Sequence, residues 1–253
     1  MEVIRNVIIK HQLRQFDDTG PRRVLTRRTI LKSLIAAPLM MAPGIALGAI
    51  DTAGDVKKLK AFVAQTIGRA PAERKEISRK TINAINPLKG DNKLLELAAL
   101  GVLARESSTS EALKDDLPGR SKRLITAVLV DQSEAGWSHA LAGAWHFEVS
   151  RRSRAGALVL GADRSEGEKR FSAARAKTPG DMGIVLLEAI ALIYDGADNH
   201  SQRITHLLAK ASAKAPKGAG KYELAVARYA AKLSEIAATR QFAKLETAVR
   251  AIY

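Results

Sequence analysis

The sequence predicts an all-α protein, and three observations carry that prediction. Apolar residues recur at intervals of three and four, as on one face of a helix. No run of strand length alternates apolar with polar residues. Proline and glycine fall between helix-length segments, at Ala70-Pro71, Asn86-Pro87, Leu117-Pro118-Gly119, Thr178-Pro179-Gly180-Asp181 and Ala215-Pro216-Lys217-Gly218. Each of these ends one helix and starts another, because proline lacks the amide that a helix interior needs. About eight to ten helices of ordinary length follow. With 253 residues, 46% of them hydrophobic, the chain is long enough to bury a core.

The first element in chain order is expected to be an address, with a membrane anchor or an ordinary buried helix as the other readings. Residues 26–49 read TRRTILKSLIAAPLMMAPGIALGA, and the 18 residues Ser33 to Ile50 carry no charge. That length approaches what a spanning helix needs. Pro38 and Pro43 would kink such a helix, and the small residues Ala46-Leu47-Gly48-Ala49 have the form of a processing site, with cleavage after Gly48 and Ala46 at the third position back. The flank Thr26-Arg27-Arg28-Thr29-Ile30-Leu31-Lys32 resembles the twin-arginine export signal, in which a Ser or Thr precedes two arginines, any residue, two apolar residues and often a lysine. Arg27, Arg28, Leu31 and Lys32 are the residues that match. The resemblance implies transport of a folded protein across a bacterial inner membrane into the periplasm, with residues 1–48 as signal and 49–253 as the helical domain. The alternative is an uncleaved anchor that holds the domain on the periplasmic face.

Cysteine is absent, which excludes a disulfide framework, a lipid-bearing cysteine, thiolate metal sites and a cysteine nucleophile. The formal charge is +15; eight of the 41 basic and three of the 26 acidic residues lie in residues 1–48, so the rest keeps +10. Such a surface attracts acidic partners. Aromatic residues make up only 4% of the chain and the basic residues are interleaved with Glu, which argues against a base-stacking nucleic-acid binder.

Beyond residue 50 the helical periodicity is explicit. Val56, Leu59, Phe62 and Val63 mark one helix, Leu94, Leu97, Leu100 and Leu103 a second, and Tyr222, Val226, Tyr229, Leu233 and Ile236 another near the end. Gly101 reads as a close-contact position in the second of these. In Arg105-Glu106-Ser107-Ser108-Thr109-Ser110-Glu111, Thr109 or Ser110 is expected to cap a short helix. Gly136 to Val149 holds both tryptophans. On a helix, Leu141, Trp145 and Val149 lie along one side with Trp137 and Ala144 close by, while Ala140, Gly143 and Phe147 form a second apolar side. A helix apolar on two sides packs on several neighbours.

Phe171 is followed by Ala174 and Pro179, and Leu208 by Ala211 and Pro216 at the same offsets, the two prolines 37 residues apart. This pattern resembles the second helix of a tetratricopeptide repeat of about 34 residues: a large residue between two helices, a small one at the next repeat and a helix-ending proline. Gly167 and Ile204 stand where the repeat prefers alanine, and about three extra residues fall near Asp195–Asn199. The reading is an α-α superhelix, a tetratricopeptide-like solenoid. Its clearest repeats span 137–216, with helices over 163–178, 181–194 and 201–214, and segments 220–237 and 240–252 cover its open end. Gly143, Trp145, Phe171, Ala174, Pro179, Leu208, Ala211 and Pro216 are the expected packing residues.

The stretches GWSHALAGAWHFEVSRR and LGADRSEGEKRFSAARAKTPGD together resemble a bacterial family of exported tetratricopeptide-like proteins that includes the helical partner subunits of TRAP-type solute transporters, the TatT component. The resemblance implies a non-catalytic periplasmic adaptor without a cofactor, able to form homo-oligomers and to contact a solute-binding protein. From the residues alone, a partner is expected on the concave surface lined by the first helix of each pair.

No catalytic signature competes with this. His139 and His146 are two turns apart, about 10 Å along a helix axis and too far to share one metal ion. His146 and Glu148 are expected to bond neighbouring helices or the following turn. No phosphate loop, nucleophile elbow or dinucleotide fingerprint occurs. Arg151, Arg152 and Arg154 form the one local basic patch after the signal: a docking point for an acidic partner or anionic lipid, or positive charge placed at a helix C-terminus. The alternatives to an adaptor are a periplasmic enzyme with an unrecognised site and a basic binder of anionic polymer or lipid.

Overall fold

The structure, a computed structural model, describes residues 52–85, 92–133, 135–213, 215 and 217–252, all within the unit Leu47–Tyr253. The export-signal residues Arg27, Arg28, Leu31, Lys32, Ala46 and Gly48 lie outside the described residues, as do Pro87 and Pro216.

Helix follows helix: α1 Thr52–Thr66, α2 Pro71–Ala84, α3 Lys93–Arg105, α4 Thr109–Lys114, α5 Leu117–Asp131, α6 Gly136–Arg152, α7 Arg154–Leu160, α8 Arg164–Lys177, α9 Met182–Gly196, α10 Ser201–Ala211, α11 Lys221–Ala238 and α12 Phe242–Ile252. No strand occurs among the described residues, so the all-α class stands. The short helices α4 and α7 raise the number above the expected eight to ten; at six and seven residues they are too brief to leave a periodic signature. A 3-10 turn, Ala197–His200, occupies the place of the extra residues near 195–199, and Gly196 enters it at φ 123°, a conformation open to glycine. No described helix is long and apolar enough to cross a membrane.

Helix starts follow the punctuation. Pro71 opens α2 and Pro118 sits in the first turn of α5. Asp163 and Asp181 cap α8 and α9 by accepting from the amides of Glu166 and Gly183. The cap of α4 is Ser108 rather than Thr109 or Ser110: its hydroxyl accepts from the Glu111 amide while the Glu111 carboxylate accepts from the Ser108 amide. The start of α3 is capped from another helix. Asn92 gives no side-chain cap, and Asp55 of α1 accepts from the amides of Leu94 and Leu95 at 3.1 and 3.4 Å.

The core is organised around α9, whose residues Gly183 to Tyr194 are all buried. A helix of such composition, MGIVLLEAIALIYDG, is stable only when enclosed. It packs on α6, α8, α10, α11 and α12. Its one buried charge, Glu188, is held by Arg175 of α8 and by Arg203 of α10 at 2.6 Å. The most extensive pairing of the molecule is α6 on α8, and here the sequence-predicted packing residues meet. Phe171 and Ala174 are fully buried, and Gly143 lies against Phe171, so a methyl group there would come within 2.9 Å of the ring. Gly167 faces the Phe147 ring at the same distance, which is why glycine stands where a repeat would carry alanine. Leu208 and Ala211 are fully buried on α10, and Pro179 is exposed in the break between α8 and α9. Trp145 is half-buried and donates its indole N–H to the carbonyl of Pro118 at 3.3 Å.

Two departures from expectation set the stage for function. Gly101 is not a close contact, since a side chain there would meet nothing within 4 Å. The last two helices do more than cover an open end: α11 packs on α1 as well as on α10, and α12 packs on α2. Buried Arg74 of α2 makes the second of these joints, donating to the Glu106 carboxylate at 2.9 Å and to the carbonyls of Arg69 and Arg250 at 2.7 and 3.0 Å.

Candidate functional site

With every side of α9 enclosed, the first helix of the clearest repeat pair has no open concave face to offer a partner. The polar cleft of the molecule lies instead at the C-terminal end of α9, where Tyr194 meets the ends of three other helices. Three guanidinium groups gather on its ring: Arg105 from the last turn of α3, Arg151 from that of α6 and Arg250 from that of α12, at 5.5, 5.3 and 5.6 Å from the ring centroid. Each is worth about 0.5–1 kcal/mol on an exposed ring and more when desolvated. Basic residues at these positions also complement the helix dipoles.

Ion pairs fix the array. Glu148, one turn before the end of α6, accepts from Arg151 at 2.9 Å and from Arg152 at 2.5 Å. Arg152 then closes the C-terminus of α3, donating to the carbonyls of Arg105 and Ser107, both at 3.2 Å. Burial alone would push the Glu148 carboxyl up, but Arg105, Arg151 and Arg152 outweigh it and hold the group below the usual carboxylate range. The Tyr194 phenol moves the other way: burial raises it, with Arg105 and Arg250 opposing. Arg250 is raised by its bond to Glu246, so it stays charged.

Around this array lies a cleft of about 340 Å³, lined by Pro71, Arg105, Glu106, Ser107, Ser108, Thr109, Arg151, Arg152, Tyr194 and Arg250. Four guanidinium groups and four hydroxyl-bearing residues, Tyr194 among them, line it beside one carboxylate, and Glu106 is already paired with Arg74 at 2.7 Å. Guanidinium ions do not deprotonate near neutral pH, and a phenol raised by burial is no base. The donors of the cleft suit a carboxylate or another planar, bidentate acceptor.

The sequence patch of Arg151, Arg152 and Arg154 is thus divided. Arg151 and Arg152 belong to the cleft, whereas Arg154 begins α7, is exposed and does not line it. Arg105, Tyr194 and Arg250 carry no sequence signal that joins them, because they come from three helices far apart in the chain. The only local hints are the Glu-to-Arg pairs four apart, Glu148–Arg152 and Glu246–Arg250.

His139 and His146 both make contacts within the fold. His146 Nδ1 accepts from the Asp163 amide at 3.0 Å, at the start of α8, and His139 Nε2 lies 3.0 Å from the Ser133 carbonyl. Among the described residues no group of three or more His, Asp or Glu is placed to hold a metal ion. Compared with family models, curated proteins and solved structures, the chain matches none.

Proposed function

We propose that the chain is an exported, non-catalytic adaptor of tetratricopeptide-like build, and that it holds a partner protein through an acidic segment of that partner seated in the Tyr194 cleft. The observation that carries the reading is the convergence of Arg105, Arg151 and Arg250 on one buried tyrosine ring beside a cleft rich in donors. Guanidinium groups fixed in advance lose little entropy when they bind, and paired carboxylates satisfy their fork geometry.

The repeat-like build is supported by the pairing of α6 with α8 and α9 with α10, and by the succession α6, α9, α11, whose members pack on one another. The resemblance of the sequence to the TatT-component family favours a solute-binding protein of a TRAP-type transporter as the partner, and the resemblance of Thr26 to Lys32 to the twin-arginine signal favours the periplasm as the place of encounter.

The test is affinity capture from periplasmic extract of the native host, with wild-type protein beside an Arg151→Glu/Arg250→Glu variant. A partner retained in fixed stoichiometry by the wild type, released by salt and lost from the variant is expected, since exposed charge contacts are screened. Capture that charge reversal leaves intact would overturn the cleft as the docking point, and a stoichiometric organic cofactor in the purified protein would overturn the adaptor reading. Replacing Arg27 and Arg28 with lysine is expected to leave the protein in the cytoplasm, as fractionation would show.

A further inference from the structure

On the other side of Arg105 and Arg152 from the cleft lies a second cavity, apolar and of about 100 Å³, between α1, α3, α5 and α6. The geometry points to a binding site for a small amphiphile: a short aliphatic tail in this cavity and an anionic head toward Arg105 and Arg152. This goes beyond the adaptor reading and does not depend on it.

Three observations on separate elements carry the inference. The first is Gly101. It sits in the interior of α3, where glycine costs about 1 kcal/mol of helix stability relative to alanine. Close packing is the usual reason for such a glycine, and here there is none: the residue is exposed, and a side chain on it would meet nothing within 4 Å. It lines the cavity one turn beyond Leu97 and Ala98.

The second observation is the lining. Phe62, Val63, Leu97, Leu141, Trp145 and Val149 supply a wall on which water has few partners, so an apolar guest displaces little that is well bonded. An engineered cavity of about 150 Å³ holds benzene, so one of about 100 Å³ holds a chain of roughly four carbons.

The third is the charge at one end. Arg105, Arg152 and Glu148 all line the cavity, and Glu148 is already bound by Arg151 and Arg152. Three guanidinium groups thus surround a single carboxylate and lower its pKa against the effect of its burial. The field at that end is positive and favours an anion over a cation.

Both tryptophans of the chain, Trp137 and Trp145, line the cavity, so occupancy is read directly from their fluorescence. The experiment titrates the whole exported protein with pentanoate, with butyl phosphate and with butylamine, which share a four-carbon tail and differ in the head, and repeats each titration on Gly101→Leu. The expected result is a saturable change with pentanoate or butyl phosphate in the millimolar range, at least about fivefold weaker for butylamine, and lost in Gly101→Leu while its far-UV circular dichroism is unchanged. Equal binding of butylamine would overturn the anionic head. Undiminished binding by Gly101→Leu would overturn the location. No saturable change with either anion in the wild type, a result that needs no variant, would overturn the site.

Discussion

Asp181 shows how much one residue can join. Its carboxylate, 2% exposed, accepts from the Trp137 indole N–H at 2.9 Å, the Tyr222 hydroxyl at 2.6 Å and the Gly183 amide at 3.1 Å, and it pairs with Lys60 at 2.8 Å. Those partners come from α6, α11, α9 and α1. Asp181→Ala removes the acceptor that three buried donors share and is expected to cost about 3 kcal/mol or more, since buried donors carry a desolvation penalty that this carboxylate offsets. Lys60→Met removes the ion pair and the contact of the ammonium with the Tyr222 ring at 4.9 Å, both made by a lysine 30% exposed, so its cost is expected to stay within about 1 kcal/mol. Urea denaturation of the two variants decides between a carboxylate that anchors neutral donors and one that matters chiefly as an ion. His146 makes the second prediction at this scale. Burial lowers its pKa from 6.5, and its Nδ1 must be unprotonated to accept from the Asp163 amide. The unfolded chain therefore takes up the proton first: the stabilisation is complete above the free imidazole value and is lost as pH falls from there toward the lower folded value. Thermal melts between about pH 7.5 and 5.5 should show the wild type losing stability as pH falls, and His146→Asn, which keeps an acceptor but cannot titrate, should show a shallower loss. Equal slopes would assign the pH dependence elsewhere.

Helix packing was legible where it depends on spacing along one helix and illegible where it depends on what faces it. Phe171, Ala174, Leu208 and Ala211 were found because burial at intervals of three and four writes itself into the sequence, and all four are fully buried. Gly167 looked like a departure from a repeat because the reason for it lies on α6: the Phe147 ring occupies the space of a methyl group. Gly101 was misread in the opposite sense, since a glycine that allows close approach and one that leaves a gap look alike in one dimension. The two give opposite predictions. Gly167→Ala forces α6 and α8 apart and is expected to destabilise by about 1–3 kcal/mol despite the gain in helix propensity. Gly101→Ala meets nothing and is expected to stabilise by up to about 1 kcal/mol. Chemical denaturation of both measures the contrast, and a stabilised Gly167→Ala would mean that the two helices slide apart at little cost. The Tyr194 cleft was half legible: Arg151 and Arg152 stood out as a run, but convergence with Arg105 and Arg250 is a property of the fold.

At the scale of the whole molecule the question is whether the chain behaves as a stack of repeats or as one closed body. In an open stack each repeat touches only its neighbours, and the ends fray without disturbing the middle. Here the first two and last two described helices meet, α1 on α11 and α2 on α12, and Arg74 is the polar pin of the second contact. Its guanidinium is nearly inaccessible and bridges the Glu106 carboxylate at the end of α3, the Arg69 carbonyl before α2 and the Arg250 carbonyl in the last turn of α12. Arg74→Ala buries an unpaired carboxylate and leaves two carbonyls without donors, which costs about 3–5 kcal/mol for a buried pair broken on one side. The loss should not fall evenly. The α2 contact is the long-range one that α12 makes, and without it α12 is held mainly by α9, α11 and the 3-10 turn, so α12 should open well before α9. Hydrogen exchange tests this directly. In the wild type, α2 and α12 should exchange as one cooperative unit with similar protection; in Arg74→Ala, α12 should lose protection by orders of magnitude while α9 follows only the global stability. The cleft should fail with it, because Arg250 reaches Tyr194 only while α12 is docked. Uniform loss of protection across all helices would mean instead that the closed body unfolds as a single unit and that Arg74 contributes stability without defining the joint.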